Sequence, residues 1–380
     1  MRLEPDMAAA LLAKTAPPWT TADLVSVLTP IWRRAFGPKG HAPDAHVMRM
    51  SVGIGRVTRF LDGVEDAIGV RVPATALMRL GTIERLAVAI ARNDWPPPSA
   101  PILLRDGAGS EALYVIAAGT GLVLELCDLA QAIPFPGPIW ALQLPGLDGE
   151  TTPLADIGAM AAHHIAAIRA QHSSALPDGP VHLIGYSFGG LVCVEMARLL
   201  GDRIGLLGLI DTTCYETYWP RTEWLRVAGL RTLRRMGELR GMRPRPALQH
   251  LAGRGRAMAR HIGRRFKPKA GDADFTRSVY YVDGLDPRLQ AVRNASIIAF
   301  ERHDPAPIDA PVTLFKSRLG DRHGCDPARL WRRLAGRLDV VMVEGTHITM
   351  LRKPHVEGLA AAIGARLGNQ IRCQIRCRIR

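Results

Sequence analysis

The sequence of 380 residues lacks the features that mark several protein classes. It has no unbroken run of about 18 apolar residues, which a membrane-spanning helix needs, so we predict no transmembrane segment. The apolar run Met7–Ala13 follows Glu4 and Asp6 rather than a basic cluster, and we therefore expect no signal peptide. Its six cysteines form no CxxC pair, which favours a reduced, cytoplasmic location.

The formal net charge of +14 is concentrated in one part of the chain. Residues 221–269 contain thirteen Arg and two Lys against two Glu, which accounts for nearly all of the excess. This segment shows no zinc-finger, helix-turn-helix or interleaved aromatic pattern, so the charge does not predict nucleic-acid binding. It is a local property of one element of the fold.

Three regions differ in their sequence pattern. Residues 1–93 are predicted to form a helical domain, and the proline-rich residues 94–101 a semi-rigid linker. In residues 102–368 short apolar runs alternate with helical segments, which predicts a mostly parallel sheet covered by helices. An interval at about 215–300 interrupts this alternation and is predicted to be a helical lid, while residues 369–380 are expected to be a frayed tail. The predicted strands are Ala112–Ala117, Ile139–Leu144, Val181–Gly185, Gly205–Asp211, Val312–Lys316 and Val340–Val343.

One stretch of the sequence predicts a catalytic serine. The apolar strand Val181–Ile184 leads into the G-x-S-x-G sequence Gly185–Gly189, and the amphipathic helix Gly190–Leu200 follows. This order is that of a nucleophile elbow, in which Ser187 lies on a tight turn and glycines let strand and helix pass without Cβ clashes. The fold class is therefore predicted to be α/β, of the α/β-hydrolase type.

A serine needs a base to become a nucleophile, and His347 is the predicted base. It follows the last predicted strand in the glycine-containing loop Glu344–His347, from which an imidazole can reach the elbow. His303 and His323 also come after the serine in the chain, but neither directly follows a strand.

Two aspartates could orient this histidine, since both follow strands that end at the same edge of the sheet. Asp211 directly ends the strand after the elbow helix, whereas Asp321 lies one strand later in a polar loop. Geometry alone leaves them nearly equal, and the direct attachment to a strand favours Asp211.

The oxyanion hole is predicted to use two backbone amides. One is the amide of Phe188, which follows the nucleophile at the start of a helix. The other is assigned to Gly119, in the glycine-rich loop after the first long strand, because glycine allows a close approach of the backbone.

The larger region resembles the thioesterase domains that end nonribosomal peptide synthetases and polyketide synthases. The resemblance covers Leu103–Leu367, and its members usually have His-Pro or Phe-Pro where this chain has Ala117-Ala118. It implies that Asp211 is the acid and that 215–300 covers the acyl channel. The matching pieces are Leu142–Leu147, Met160–Gln171, Gly179–Leu183, Gly185–Gly190, Leu209–Asp211 and Gly345–His347 with Pro354.

The first region resembles an acyl or peptidyl carrier protein. Such domains hold phosphopantetheine on a serine within a Leu-Gly-Gly-x-Ser motif, and alignment on Gly69–Pro73 places that motif at Met50–Ile54. Ile54 occupies the serine position and has no hydroxyl, while Ser51 lies about one helical turn earlier. The resemblance therefore implies a carrier fold that lacks its prosthetic group, and we expect no cofactor bound by this chain and no metal.

These resemblances imply a thioesterase that releases a polyketide or peptide chain, presented on phosphopantetheine by a partner carrier protein or synthase module. Release would use water, or a nucleophile that cyclises the chain. Two alternatives are a carboxylesterase or lipase that acts on oxygen esters, and a docking protein that recruits synthase modules. The basic lid could contact a carrier protein or an anionic acyl chain, or could be a solvated face.

Overall fold

The structure, a computed structural model, describes residues 19–37, 46–50, 54–96, 101–147, 151–172, 177, 179–239, 287–319 and 325–378. Asp321, Ser51 and His323, which the sequence raised as alternatives, lie outside these residues, as do residues 240–286 of the predicted lid.

The N-terminal region is helical. Its helices are α1 (Thr21–Phe36), α2 (Ile54–Ile68), α3 (Ala74–Leu80) and α4 (Ile83–Arg92). Helix α1 begins with a capping box, in which the Thr20 hydroxyl accepts the Asp23 amide and the Asp23 carboxylate accepts the Thr20 amide. The buried ring of Trp32 packs edge-on against Phe36 and Phe60, with ring centroids 4.7 and 5.2 Å apart. These aromatic contacts join α1 to α2 in one apolar core.

The second region contains a seven-stranded sheet among the described residues. The strands lie in the order β1-β3-β2-β4-β5-β6-β7, and every neighbouring pair is parallel except β1 with β3. Strands β2 and β4 are buried along their whole length, as expected for parallel strands covered on both faces. The bounds are β1 (Ile102–Arg105), β2 (Ala112–Ile116), β3 (Ile139–Leu142), β4 (Val181–Tyr186), β5 (Ile204–Ile210), β6 (Val312–Ser317) and β7 (Leu338–Val343).

Six of these strands match predicted ones to within two residues at each end, and the predicted α/β class is confirmed. Strand β1 was missed. It has only four residues, alternates buried and partly exposed positions, and pairs with a single neighbour at the sheet edge. Its stability comes from that pairing, which the local sequence does not display.

Helices flank the sheet and follow its strands. They are α5 (Cys127–Ala132), α6 (Ile157–Gln171), α7 (Phe188–Leu200), α8 (Arg221–Leu239), α9 (Pro287–Arg302), α10 (Pro327–Leu334) and α11 (His355–Arg378). Helix α11 corrects one expectation, because residues 369–378 continue it where a frayed tail was predicted. Adding residues to an existing helix avoids the cost of nucleation, so a polar segment can extend a helix that packing has already formed.

The strand order fixes where a site can form. Strand β2 lies between β3 and β4 in the sheet. The chain therefore passes from β2 to β3 on one side, and then crosses to β4 on the other side of β2. In open parallel sheets, ligands bind beyond the carboxyl ends of the strands near such a reversal. The loops after β2, β4, β5 and β7 carry Gly119, Ser187, Asp211 and His347, respectively, and the four parallel strands bring them to one edge.

The helical region contacts the sheet region directly. The buried Gln143, just after β3, donates from its side-chain amide to the Met78 sulfur of α3 at 2.8 Å. A cleft between the two regions is lined by Val57 and Leu61 of α2 and by Leu147 and Leu289 of the sheet region. In the part of the chain that the structure describes, no helix is long and apolar enough to cross a membrane.

Candidate active site

Ser187 lies on the turn between β4 and α7 with φ +54° and ψ −117°. A positive φ is uncommon for a residue with a side chain, and such strained positions are concentrated at functional sites. The turn is held by its backbone, since the Ser187 amide donates to the Ile210 carbonyl at 2.8 Å and its carbonyl accepts the Gly190 amide at 3.1 Å. The serine backbone is therefore fixed to the neighbouring strand β5.

Two glycines beside the serine are required by close packing. A Cβ on Gly185 would lie 2.4 Å from backbone atoms of Gly189 and Gly190, and one on Gly189 would lie 2.4 Å from the Ala117 carbonyl oxygen. Both distances are far below van der Waals contact, so the strand, the turn and the helix can cross only where side chains are absent. This explains the spacing of G-x-S-x-G in physical terms.

His347 lies in the loop after β7, next to the elbow. Its Nδ1 is 3.4 Å from Asp211 Oδ2, and its ring stacks on Tyr186 with the centroids 5.0 Å apart. The Tyr186 hydroxyl also donates to the His347 carbonyl oxygen at 2.8 Å. Because Tyr186 directly precedes Ser187, these contacts attach the histidine loop to the nucleophile elbow.

Asp211 directly follows β5, is 3 % exposed and has φ +44°. Its amide donates to the Phe315 carbonyl at 2.9 Å, and its Oδ1 accepts the Ser317 amide at 2.7 Å. One carboxylate oxygen is thus held by strand β6, which leaves Oδ2 directed at His347. The structure brings Asp211 and His347 together as one pair, and their catalytic roles remain predictions.

The two predicted oxyanion donors are neighbours in space. Phe188 begins α7, so its amide lies at a helix N-terminus, where the helix dipole favours negative charge. A Cβ placed on Gly119 would lie 3.8 Å from the Phe188 Cβ and 3.6 Å from the Ser296 Cβ. Gly119 therefore lies between the elbow and α9.

Glu125 is a residue of this site that the sequence analysis missed. Its Oε1 accepts the amide of Ala118, directly before Gly119, at 3.2 Å. Its side chain is exposed to solvent, and desolvation by the surrounding protein atoms raises its pKa to about 7. The Ala118 amide and the positive charges of His347, Arg293 and Arg352 act in the opposite direction and are outweighed. In the sequence, the only indication of this residue is that it is a single acid within the otherwise apolar residues 122–126.

One described helix of the predicted lid, α9, packs on this site. Phe300 of α9 contacts Phe188 with ring centroids 6.4 Å apart, so α9 lies beside the elbow.

Helix α8 is attached to the residue before α10 through Glu223, which is 1 % exposed. Its carboxylate accepts the Arg226 guanidinium at 2.9 and 2.5 Å and the Asp326 amide at 2.8 Å. Burial acts to raise the pKa of Glu223, but these hydrogen bonds and the nearby arginines hold that pKa below its ordinary value.

Comparison with known proteins shows what part of this region is similar to. Residues 113–264 match the family model described as Thioesterase domain. Nonribosomal peptide synthetase atrA of Aspergillus terreus is 30 % identical over 162 residues, which is 42 % of this chain and 17 % of that protein. Indigoidine synthase of Dickeya dadantii is 33 % identical over 153 residues, which is 40 % of this chain and 10 % of that protein. The chain thus spans less than a fifth of each of these two relatives.

A solved structure resembles nearly the whole chain. A four-domain nonribosomal peptide synthetase crystallised with AMP and glycine aligns with 90 % of this chain and 26 % of its own length, at 20 % identity and a TM-score of 0.52. At this identity the similarity concerns the fold alone. The predicted resemblance to thioesterase domains of these synthetases, with the α/β-hydrolase fold, is confirmed.

Proposed function

We propose that this chain is a serine thioesterase that releases a peptide or polyketide chain from the phosphopantetheine arm of a separate carrier protein. The family match of residues 113–264 supports the reaction class, the hydrolysis of a thioester. The observation that carries the serine mechanism is the Asp211–His347 hydrogen bond, formed at the sheet edge where Ser187 occupies a strained turn. This arrangement is that of a nucleophile, a base and an orienting acid.

In the proposed first half-reaction, the Ser187 hydroxyl oxygen attacks the thioester carbonyl carbon. His347 takes the hydroxyl proton as the new C–O bond forms, and Asp211 holds the imidazole in the required tautomer and stabilises its positive charge. The amides of Phe188 and Gly119 donate to the oxyanion of the tetrahedral intermediate. When the C–S bond breaks, His347 returns the proton to the departing thiol and an acyl-serine remains.

The second half-reaction transfers the acyl chain to an acceptor. His347 takes a proton from water, or from a hydroxyl or amine of the bound chain, and the oxygen or nitrogen that loses it attacks the acyl-serine carbonyl. The ester C–O bond to Ser187 then breaks, and His347 returns the proton to the serine oxygen. Water gives a free acid, whereas an internal nucleophile gives a lactone or a lactam. Both products come from the same acyl-enzyme, so a common intermediate is expected whichever acceptor is used.

We also propose that the N-terminal region, residues 1–93, is a carrier-like domain that does not carry the substrate. Ile54 stands at the position of the serine that would be modified, and an alkyl side chain cannot form the phosphoester. The acyl chain would therefore come from a partner carrier protein or an upstream synthase module. In this proposal phosphopantetheine belongs to the substrate, and the chain itself needs no cofactor.

Two variants test the serine mechanism. The wild-type protein and Ser187→Ala are incubated with an acyl-pantetheine thioester, and the intact mass and thiol release are measured. Wild type should gain one acyl group at Ser187, and the alanine variant should form no adduct and lose most of its activity. Ser26→Ala, at an exposed position of α1, is the matched control and should resemble wild type. Equal rates for wild type and Ser187→Ala would contradict the mechanism.

A second set of measurements separates the proposal from its alternatives. A thioester and an oxygen ester with the same acyl group are compared, and a lipase-like enzyme would hydrolyse the oxygen ester at least as well. Incubation with a phosphopantetheinyl transferase and coenzyme A should leave the mass of the protein unchanged. A pantetheine adduct on residues 1–93 would contradict the proposal that the substrate comes from a separate carrier.

A further inference from the structure

Glu125 occupies an unusual position beside the site. It lies in the single 3₁₀ turn Val123–Leu126, whose other three side chains are buried hydrophobics. The side chain of Glu125 is exposed, unlike its neighbours in the turn, and one of its carboxylate oxygens accepts the Ala118 amide. The turn thus directs an acid at the loop that carries Gly119.

Ala118 is held at both of its backbone polar groups. Its amide donates to Glu125, and its carbonyl oxygen accepts the Gly121 amide at 2.9 Å. The second bond closes a turn with Gly119 and Thr120 at its two central positions. In such a turn the amide of the first central residue takes no part in the closing bond, so the Gly119 amide is available to another acceptor.

The positive charges around Glu125 come from two parts of the fold, the connection after β7 and helix α9. His347 lies in the loop after β7, Arg352 follows a short turn in the same connection, and Arg293 belongs to helix α9 of the lid. Each positive charge favours the ionised carboxylate, and the charge of Glu125 in turn acts on Arg293. Glu125 is therefore coupled to the proposed base and to the lid as well as to the oxyanion loop.

We propose that Glu125 is a positioning residue for thioester cleavage, which fixes the Ala118 amide so that the Gly119 amide faces the oxyanion, and whose ionised carboxylate favours the imidazolium form of His347. This inference rests on the proposed function of Ser187 and His347. It assigns Glu125 no contact with the reacting atoms. Its two effects depend on different properties of the side chain, a hydrogen-bond acceptor and a negative charge, and substitutions can separate them.

Glu125→Ala removes both properties, whereas Glu125→Gln keeps an acceptor for the Ala118 amide and removes the charge. Loss of a whole oxyanion donor costs about 10²–10³-fold in rate. A donor that is only less well positioned should cost less, so we expect Glu125→Ala to slow acylation of Ser187 by about 10-fold or more. Glu125→Gln should stay within about threefold of wild type at its optimal pH, because the loop keeps its hydrogen bond.

The pH profile separates an electrostatic role from a purely structural one. The base His347 must be neutral, so acylation falls on the acid side as it becomes protonated. Removing a nearby negative charge disfavours the imidazolium, and the acid limb of Glu125→Gln should therefore move to lower pH. Because Glu125 itself has a pKa of about 7, the wild-type limb belongs to the coupled pair of Glu125 and His347, whereas in Glu125→Gln it belongs to His347 alone. Arg293 and Arg352, which also face this carboxylate, stay charged over this range and do not produce the limb.

The experiment measures single-turnover acylation of Ser187 by intact mass between pH 5 and 9, with an acyl-pantetheine thioester and the full chain. Asp128→Asn, in the adjacent helix α5, is the matched charge-removing control and should keep the wild-type rate and limb. Melting temperatures show that each variant is folded. The inference is overturned if Glu125→Gln keeps the wild-type acid limb, or if Glu125→Ala acylates as fast as wild type. Absence of an acyl adduct in wild type would instead refute the proposed function.

Discussion

Replacing Asp211 by asparagine tests the orienting acid with little change in shape. The asparagine carbonyl oxygen can still accept the Ser317 amide, which now binds Asp211 Oδ1 at 2.7 Å. Its amide group would then face His347 Nδ1, which must accept rather than donate. The imidazole would be held in the tautomer whose Nε2 carries a proton, and Nε2 could not take the proton of Ser187.

The size of the effect follows from these two contacts. An asparagine in place of the triad aspartate costs about 10⁴-fold in kcat in a serine protease. The contact between His347 and Asp211 is long, 3.4 Å, so a smaller loss of about 10³-fold is expected here. Stability should change by less than about 1.5 kcal/mol, because the bond to Ser317 keeps an acceptor. Asp211→Ala, which leaves the Ser317 amide without this partner, should lose about 1–3 kcal/mol as well as activity.

The assay compares the rate of Ser187 acylation and the free energy of unfolding in urea for wild type, Asp211→Asn and Asp321→Asn. Asp321 is the acid that the sequence analysis placed close behind Asp211, and its variant is the matched control. We expect a large loss of rate for Asp211→Asn alone. A wild-type rate for Asp211→Asn, or a comparable loss for Asp321→Asn, would refute the assignment of the acid.

Three further predictions concern the elbow, the histidine loop and the lid. Gly189→Ala should destabilise the fold strongly, since its Cβ would lie 2.4 Å from the Ala117 carbonyl oxygen, and urea unfolding measures this loss. Tyr186→Phe should keep the ring stacked on His347 but lose the 2.8 Å hydrogen bond, which lowers stability by about 0.5–1.5 kcal/mol and slows acylation several-fold. Glu223→Gln should weaken the attachment of helix α8, and proteolysis of the lid should become faster. Because the pKa of Glu223 is lowered in the folded state, its stabilisation is present above its unfolded value of about 4.3 and is lost as the pH falls.

Each of these predictions has an outcome that contradicts it. A Gly189→Ala protein with wild-type stability would mean that helix α7 can move away from Ala117, after β2, without loss of stability. An unchanged rate for Tyr186→Phe would show that the hydroxyl does not hold the histidine loop. If Glu223→Gln has the same dependence of stability on pH as wild type, the carboxylate does not stabilise the lid through its charge. Glu216→Gln, at a partly exposed position before α8, is the matched control for the lid.

Most of the sheet was predictable because each of its buried strands is recognisable from its own residues alone. Strands β2 and β4 are continuous apolar runs, and burial on both faces requires that pattern. Strand β1 and the C-terminal part of α11 were not predicted, because both are extensions of structure formed elsewhere. The first pairs with β3, and the second continues a helix whose earlier turns are buried.

Some residues of the candidate site could likewise be predicted from the local sequence, and others could not. The elbow was predicted from one continuous stretch, residues 181–200, in which Gly185 leaves room for the backbone of Gly189 and Gly190. Glu125 was missed because its partner Ala118 and its charged neighbours gain meaning only when the loop after β2 meets the loop after β7. The contact between Gln143 and Met78 joins residues 65 apart in sequence, and no local pattern indicates it.

The sequence by itself determined that Ser187 lies on a strand–turn–helix elbow, which follows from residue type and local sterics. The absence of a serine to modify at Ile54 is implied by the resemblance to carrier proteins and stays a prediction. Tertiary structure alone decided that Asp211 faces His347 across 136 residues of chain. That pairing depends on the order of the strands and on the Ser317 amide of β6, which directs one carboxylate oxygen at the imidazole.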